Sequence, residues 1–330
     1  MKSGKAHACA QRWCWALVPN TGRNGSIGAL SSKLCGFVLA MLMMVVMMVA
    51  INWSTRVSTP ANKPDAWFTA LEHDKEGMRE WLHDCKYIYL DVGSNRGIQV
   101  RKIFEPDKYP NAAVLPVYRE VFGKDWERRP EEICAVGFEA NPANTQSLKE
   151  LQAAYRRVGF RVHFFTETAV ALENGKANFY LDSQAPVQYH QPGSTLVPPK
   201  GRGIDMDGVR VSTVDLARYI LEEVTAPHKA FGKAVSPIIV MKLDVEGYEH
   251  QLVPHLVITG ALCKVHTVFY ESHLWGTVTS ERGVGDESFI AFFEWFARDM
   301  DRSACPVNFV ELDDESYDTS RRPLPTPRLR

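Results

Sequence analysis

The fold is decided by one stretch of the sequence, Tyr87-Ile-Tyr-Leu-Asp91-Val-Gly93-Ser-Asn95-Arg-Gly97-Ile-Gln99. An apolar run ends in an acid, turns through two glycines and enters a helical segment. This order places backbone N–H groups and the positive end of a helix above the carboxyl edge of a sheet, where doubly wound proteins bind ligands. The spacing Gly93-x-x-x-Gly97 is not the G-x-G-x-x-G of a dinucleotide fingerprint. A glycine turn that merely joins a strand to a helix is the competing interpretation.

Apolar runs and helical patterns alternate along the rest of the chain. The predicted strands are Tyr87–Val92, Ile133–Phe138, Arg161–Thr166, Pro237–Val245, His266–Tyr270 and Val307–Leu312. Apolar residues at i, i+3 and i+4 predict helices over Leu148–Tyr155, Tyr248–Leu256 and Phe289–Met300. This alternation predicts an α/β fold with a doubly wound, mostly parallel, Rossmann-like sheet.

Three segments interrupt the alternation. Glu105–Glu132 reads as an insertion with its own helix over Val117–Phe122. Glu167–Asp182 predicts a β-hairpin, because Glu173-Asn-Gly175 carries an Asn-Gly turn signal. Ser183–Gly208 is rich in Pro and Gly and lacks periodicity, which is typical of a long loop over a binding site.

The net charge of −1, from 38 basic and 39 acidic residues, averages two unlike regions. Residues 1–56 hold six basic residues and no acid, so the remaining 32 basic and 39 acidic residues give −7. An acidic body without a basic stripe argues against nucleic acid as a partner. A hydrophobic fraction of 45% excludes a disordered chain.

An uncharged, mostly apolar run over residues 34–55 predicts one transmembrane helix, since about 20 residues cross a hydrocarbon core of about 30 Å. The basic residues before it predict a cytoplasmic N-terminus. The predicted regions are a cytoplasmic basic N-terminus (1–33), a signal-anchor helix (34–55), a linker with a first helix (56–84), the folded domain (85–318) and a disordered basic, Pro-rich tail (319–330). We therefore expect a single-pass type II membrane protein of the endoplasmic reticulum or Golgi with a lumenal domain. A mitochondrial or plastid transit peptide is the alternative.

Four cysteines follow the predicted membrane helix: Cys85, Cys134, Cys263 and Cys305. In an oxidising lumen they could form two disulfides, with three possible connectivities. Cys134 lies in an apolar run and could instead be a buried thiol. No C-x-x-C pair occurs, and the sequence predicts no metal site.

Two further strands end in charged residues. Ala135-Val-Gly-Phe-Glu139-Ala-Asn141-Pro142 places Glu139 where a carboxylate can accept both hydroxyls of a ribose, although it could also be a charge that complements a helix N-terminus. In Ile239-Val-Met-Lys242-Leu-Asp244-Val-Glu246-Gly247-Tyr-Glu249, alternation puts Lys242 and Asp244 on one strand face. Charged side chains at the end of a buried strand either pair in a salt bridge or belong to a functional site, and we favour the functional site.

These segments, in their order, resemble one family. Asp91-Val-Gly-Ser-Asn-Arg-Gly97, Phe138-Glu-Ala-Asn-Pro142, Thr168-Ala-Val170, Val211-Ser-Thr-Val-Asp215 and Lys242-Leu-Asp-Val-Glu-Gly-Tyr-Glu249 look like the FkbM-type methyltransferases. The resemblance covers Tyr87 to Ser272 and implies the class I, S-adenosylmethionine-dependent methyltransferase fold.

The resemblance also implies roles for individual residues. The cofactor's methionine part would be held by the loop residues Asp91, Gly93, Ser94, Asn95 and Gly97. Its ribose would be held by Glu139, and its adenine would lie beside Thr168 and Ala169, where this sequence lacks the expected aspartate. The methyl-transfer site would be bordered by Asp244, as base or acceptor-orienting group, by Lys242 as its charge partner and by Glu246; Glu271 and His273 are secondary candidates.

The predicted function is S-adenosylmethionine-dependent O-methyl transfer to a hydroxyl of a sugar, glycan or natural-product-like small molecule. One alternative is a membrane-tethered binding protein that keeps the fold without catalysis. Another is a nicotinamide-dependent oxidoreductase, which the glycine spacing disfavours.

Overall fold

The computed structural model describes residues 81–82, 85–182, 193–197, 208–225, 228–230, 233–271, 273, 304–312, 314, 316 and 323–326. The expected membrane segment, most of the linker and of the long loop, and the helix expected over Phe289–Met300 lie outside these ranges. None of the helices within them combines the length and the apolar composition needed to cross a bilayer.

The described chain contains eleven strands and five α-helices. The strands are β1 (Tyr87–Val92), β2 (Ile133–Glu139), β3 (Arg161–Thr166), β4 (Thr168–Ala171), β5 (Gly175–Phe179), β6 (Val209–Asp215), β7 (His228–Ala230), β8 (Lys233–Val235), β9 (Ile238–Leu243), β10 (Thr267–Tyr270) and β11 (Asn308–Glu311). The helices are α1 (Ile98–Phe104), α2 (Leu115–Phe122), α3 (Thr145–Arg157), α4 (Leu216–Tyr219) and α5 (Glu249–Ile258). A π-helical turn, Ile220–Val224, follows α4.

The main sheet has six strands in the order β11-β10-β9-β1-β2-β3, and every neighbouring pair is parallel. Counted along the chain, this is the order 3-2-1-4-5-6 of doubly wound α/β proteins. The predicted Rossmann-like α/β sheet is therefore confirmed. Two strands have the predicted bounds, β1 and β3, whereas β9 ends two residues earlier than predicted, at Leu243.

Helices cover both faces of this sheet. One face packs against α4 and α5, with Leu216, Ile220, Leu252 and Leu256 in its core. The other face packs against α1, α2 and α3, through residues such as Val100, Tyr118, Leu148 and Leu151. The inner strands β1, β2 and β9 are buried on both faces, which explains why they read as continuous apolar runs and not as alternating ones.

The predicted hairpin over Glu167–Asp182 is wrong. Its two strands, β4 and β5, exist, but they do not pair with each other. A third strand, β6, lies between them, parallel to β4 and antiparallel to β5. The Asn-Gly turn instead wraps the end of β6, where Asn174 Oδ1 accepts the N–H of Asp215 at 2.8 Å and the Glu173 carbonyl accepts the Thr213 hydroxyl at 3.0 Å. The local turn signal could not reveal a partner strand that arrives about 35 residues later.

The four cysteines form two disulfides, Cys85–Cys134 and Cys263–Cys305. The first joins the residues just before β1 to β2. The second joins the segment between α5 and β10 to the segment that enters β11. The alternative of Cys134 as a free buried thiol is therefore wrong, and one of the three possible connectivities is selected.

Candidate functional site

The candidate site lies at the carboxyl edge of the main sheet, beside β1. From β1 the chain winds outward through β2 and β3 on one side, and later through β9, β10 and β11 on the other. The winding reverses between β1 and β9, and such a switch point leaves a crevice where α/β proteins bind ligands. Asp91 is the direct register partner of Lys242 there. By alternation both lie on the face of Tyr89 and Val240, which α1 covers.

Asp91 is a buried carboxylate near the end of β1. Its side chain is 0% exposed, and neither oxygen has a partner among the residues that the structure describes. The nearby Ser94 hydroxyl donates instead to the Asp91 carbonyl oxygen, at 3.0 Å. Burial raises the pKa of the Asp91 carboxyl to about 6, although the nearby Lys242 ammonium lowers it. An orphaned, perturbed carboxylate in a crevice is a feature of ligand sites, because native proteins satisfy nearly all other buried polar groups.

The loop after β1 is tied to the protein by its own N–H groups. Those of Gly93 and Ser94 donate to the Phe138 carbonyl oxygen, at 3.2 and 2.9 Å, and that of Gly97 donates to the Ser94 carbonyl oxygen at 2.7 Å. Gly93 has φ +85°, and a Cβ there would overlap the carbonyl oxygen of Asp244. These N–H groups therefore hold the loop in place at the base of the crevice. The expectation that the N–H groups of the loop face the crevice is wrong at these three positions.

Gly97 is explained by packing. It has φ +73°, and a Cβ there would lie 2.9 Å from Leu151 Cδ2 and 3.2 Å from Leu148 Cδ2. Both leucines belong to α3, so the glycine allows the start of α1 to approach that helix closely. The competing interpretation of a glycine that joins and packs elements thus holds for Gly97.

Glu139 lies beside Asp91, at the end of β2. Its Oε1 accepts the N–H of Asn141 at 2.7 Å, and its Oε2 accepts the N–H of Asn95 in the loop after β1. Burial raises the pKa of the Glu139 carboxyl to about 7, although these two N–H groups lower it. Each carboxylate oxygen has two lone pairs, so the side chain can accept further donors such as ribose hydroxyls. Glu139 also holds the loop that carries Asn95 against β2.

Thr168 and Ala169, expected beside an adenine, begin β4. Thr166, two residues before Thr168, is the register partner of Glu139, and the Thr168 hydroxyl donates to the Thr166 carbonyl at 3.0 Å. Ala169 packs with Ala140 in a small separate apolar cluster. The segment therefore continues from the Glu139 edge of the crevice, on the side opposite β9.

Lys242 and Asp244 form a salt bridge, which is one of the two explanations that the sequence left open for their charges. Lys242 Nζ contacts Asp244 Oδ2 and lies 3.4 Å from the Gly93 carbonyl oxygen. The Asp244 N–H donates to the Val92 carbonyl at 3.0 Å. The charged pair therefore sits where the loops after β1 and β9 touch, next to Asp91.

His273 is surrounded by four carboxylates, those of Asp244, Glu246, Glu249 and Glu271; we call these five side chains the His273 centre. Three of the carboxylates lie around Nε2: Glu246 Oε2 at 3.3 Å, Glu271 Oε1 at 3.4 Å and Asp244 Oδ1 at 3.8 Å. The fourth, Glu249 Oε1, lies 3.2 Å from Nδ1.

Glu249 is fixed by the backbone of the preceding turn. Its Oε1 accepts the N–H of Val245 at 2.7 Å and its Oε2 accepts the N–H of Gly247 at 2.8 Å, at the start of α5. Glu246 in the same turn has φ +54°, a left-handed conformation that is uncommon for non-glycine residues. The turn after β9 is thus held in a strained form that directs its acids towards His273.

The acids of the His273 centre perturb one another. Burial and the adjacent Asp244 carboxylate raise the pKa of Glu246, which favours its neutral form. Burial lowers the pKa of the His273 imidazole. The Glu249 and Glu271 carboxylates raise it by more than burial lowers it, so the net shift is upward. At neutral pH protons therefore offset part of the excess negative charge.

Sequence reasoning missed two charged residues behind the crevice. Lys102 on α1 is 0% exposed, and its Nζ lies 3.1 Å from Asp314 Oδ2. Asp314 also accepts the N–H of Val114 at 3.0 Å. The position of Lys102 between the apolar residues Val100 and Ile103 was a usable signal, because it marks the buried face of the helix. Nothing local marks Asp314, which lies 212 residues further along the chain.

Comparisons of the chain with protein-family models, with curated proteins and with solved structures found no match. Function therefore has to be argued from the residues themselves. Two acceptor groups of the crevice can take donors from a ligand: the Asp91 oxygens, which have no donor among the described residues, and the Glu139 oxygens, which retain lone pairs.

Proposed function

We propose that the chain is an S-adenosylmethionine-dependent O-methyltransferase of the class I fold, similar to the FkbM-type enzymes. The observation that carries the proposal is the Asp91 carboxylate, which is buried, has no donor among the described residues and stands beside Glu139 at the switch point of the sheet. In this proposal Asp91 accepts from the ammonium group of the cofactor and Glu139 from its ribose. The turn that starts β4, with Thr168 and Ala169, borders the adenine.

Asp244 is the candidate base. The cofactor supplies a methyl group already activated on a sulfonium, so that an acceptor oxygen can take it while the sulfur leaves as a neutral thioether. The protein must align the acceptor and take up its hydroxyl proton. Asp244 stands beside the Asp91 crevice with its Oδ1 towards His273, while Lys242 holds its Oδ2 in place. Lys242 therefore acts as a positioning residue in this proposal.

The expected acceptor is a hydroxyl of a sugar, glycan or natural-product-like small molecule. The support is the acidic character of the body and the resemblance to the FkbM-type family. An acidic site suits a cationic cofactor and a neutral acceptor better than a polyanion such as nucleic acid.

A lumenal location is part of the proposal. The disulfides Cys85–Cys134 and Cys263–Cys305 support it, because disulfides persist in oxidising compartments. The uncharged run over residues 34–55 supports a type II signal anchor of the endoplasmic reticulum or Golgi.

A nicotinamide-dependent oxidoreductase is the second candidate, because the strand order of the main sheet is also that of dinucleotide-binding domains. Two observations disfavour it. The glycine spacing is not the dinucleotide fingerprint, and the N–H groups of Gly93, Ser94 and Gly97 already donate to protein carbonyls, where a pyrophosphate would need them.

The test is methyl transfer by the full-length protein in mild detergent. The protein is incubated with methyl-labelled S-adenosylmethionine and with glycan, lipid and small-molecule extracts. We expect label in an acceptor as an alkali-stable methyl ether. Asp244→Asn should lower the rate by about 10²–10⁴-fold, while the exposed Glu222→Gln, on the π-helical turn after α4, should leave it unchanged. Cofactor binding without label in any extract would support the tethered binding protein instead.

A further inference from the structure

The contacts around His273 Nε2 are longer than charge-assisted hydrogen bonds usually are. Such bonds measure about 2.7–2.9 Å, whereas Glu246 Oε2 and Glu271 Oε1 lie 3.3 and 3.4 Å from His273 Nε2. Donor atoms that share a metal ion at about 2.0–2.2 Å stand roughly 3.0–3.5 Å apart. Each of the two contacts therefore has the spacing that Nε2 and one oxygen ligand of the same ion would have, and Asp244 Oδ1, at 3.8 Å, lies just beyond that spacing.

The other side of the ring has the partner that metal-bound histidines use. A ligating imidazole almost always gives its second N–H to a carboxylate or carbonyl, which fixes the tautomer and the ring orientation. Here Glu249 Oε1 lies 3.2 Å from Nδ1, and Glu249 is itself held by the N–H groups of Val245 and Gly247. This leaves Nε2 directed at the other three carboxylates.

The charges and the exposure of the centre also suit a divalent cation. Four carboxylates face one ammonium, that of Lys242, and one imidazole. His273 is 5% exposed, while Glu271 is 22% exposed, so the centre is buried on one side and open to solvent on the other.

We propose that the His273 centre binds one divalent transition-metal ion through His273 Nε2 and the carboxylates around it. A set of oxygen donors with one imidazole selects ions such as Mn²⁺ and Zn²⁺ over Ca²⁺, because imidazole nitrogen is a poor ligand for Ca²⁺. The inference of metal binding depends only on these contacts and not on the proposed methyl transfer. A catalytic use of the ion, to bind the acceptor oxygen and favour loss of its proton, rests on the proposed methyl transfer.

Direct binding tests the site without any turnover. The full-length protein in mild detergent is stripped with a chelator, dialysed and titrated with MnCl₂, ZnCl₂ and CaCl₂ in separate calorimetric experiments. Bound Mn²⁺ is counted independently by electron paramagnetic resonance. We expect one Mn²⁺ or Zn²⁺ per chain, bound at least tenfold more tightly than Ca²⁺.

Variants locate the site. His273→Gln should weaken Mn²⁺ binding at least 100-fold, and Glu249→Gln, which only orients the ring, about 10–100-fold. Glu271→Gln, at a partly exposed position, should weaken it at least tenfold and keeps the test valid should the buried variants fail to fold. His255→Gln is the matched control, because His255, on α5, pairs with Asp215 at the end of β6 and not with the carboxylates of the centre. It should bind Mn²⁺ like the wild type.

Three results would overturn the site: no Mn²⁺ or Zn²⁺ binding, Ca²⁺ binding of equal strength, or Mn²⁺ affinity unchanged in Glu271→Gln and His273→Gln. The first would mean that bound protons, and no metal ion, balance the carboxylates. S-adenosylmethionine binding is measured separately, with a chelator present. Failure of the metal site and failure of the proposed function can therefore be told apart.

Discussion

Replacing Asp91 by Asn should stabilise the protein at pH 8 and weaken binding of the proposed cofactor at least about 100-fold. The carboxyl is fully buried and has no donor among the described residues, and burial raises its pKa from 3.8 to about 6. At about 1.36 kcal/mol per pKa unit, ionising it in the fold costs about 3 kcal/mol relative to the unfolded chain. Asn has a similar shape and does not ionise.

The sign follows from the linkage between proton binding and folding. Because the folded pKa is above the unfolded one, the contribution of Asp91 to stability is complete below about pH 4 and is lost as the pH rises through about 6. The free energy of unfolding of Asp91→Asn, relative to wild type, should therefore rise by about 3 kcal/mol between pH 4 and pH 8. Urea denaturation at pH 4, 6 and 8, followed by tryptophan fluorescence, measures this, since Trp126 is buried under α1 and α2.

Asp107→Asn, at an exposed position just after α1, is the control and should run parallel to wild type at all three pH values. Parallel profiles for Asp91→Asn as well would refute the reasoning, because they would mean that Asp91 has protein partners when ionised. A buried carboxylate that destabilises the fold, such as Asp91, is expected where ligand binding depends on that carboxylate.

Three further predictions concern the framework of the site. Gly93→Ala should lower the free energy of unfolding by more than about 3 kcal/mol, because the added Cβ would overlap the Asp244 carbonyl. Gly159→Ala is the control: Gly159 has a similar φ, but a Cβ there would meet open space. It should cost only about 1–2 kcal/mol in the same urea titration. Lys102→Met should cost about 3–5 kcal/mol by leaving Asp314 buried without its cation, and a loss below 1 kcal/mol would contradict that pairing. Replacing both Cys263 and Cys305 by Ser should cost about 2–4 kcal/mol in thermal unfolding, and no change in the melting temperature would argue against that disulfide.

The sheet and the crevice acids could be predicted because their signals are local. Strands β1 and β3 have the predicted bounds: β1 is a fully buried apolar run, and β3, at the sheet edge, alternates buried and partly buried residues. Asp91 and Glu139 could be placed at one edge, because parallel strands carry their carboxyl ends to the same side. Helix α2 begins two residues earlier than predicted, at Leu115, with Pro116 in its first turn.

What could not be predicted depends on partners that are distant in sequence. The strand between β4 and β5, the pairing of the cysteines and the bridge from Lys102 to Asp314 each join segments about 35 to 210 residues apart. The His273 centre was foreseen only as separate candidates. Its geometry requires the turn after β9 and the end of β10 to meet, and the left-handed Glu246 that brings them together has no sequence signal.

Binding of S-adenosylmethionine by the Asp91 crevice can be measured by calorimetric titration of the full-length protein with S-adenosylmethionine, and separately with the oxidised nicotinamide dinucleotide. We expect saturable binding of S-adenosylmethionine to the wild type, at least about 100-fold weaker binding to Asp91→Asn, and no binding of the dinucleotide. Binding of S-adenosylmethionine that is unchanged in Asp91→Asn, or binding of the dinucleotide alone, would contradict this expectation.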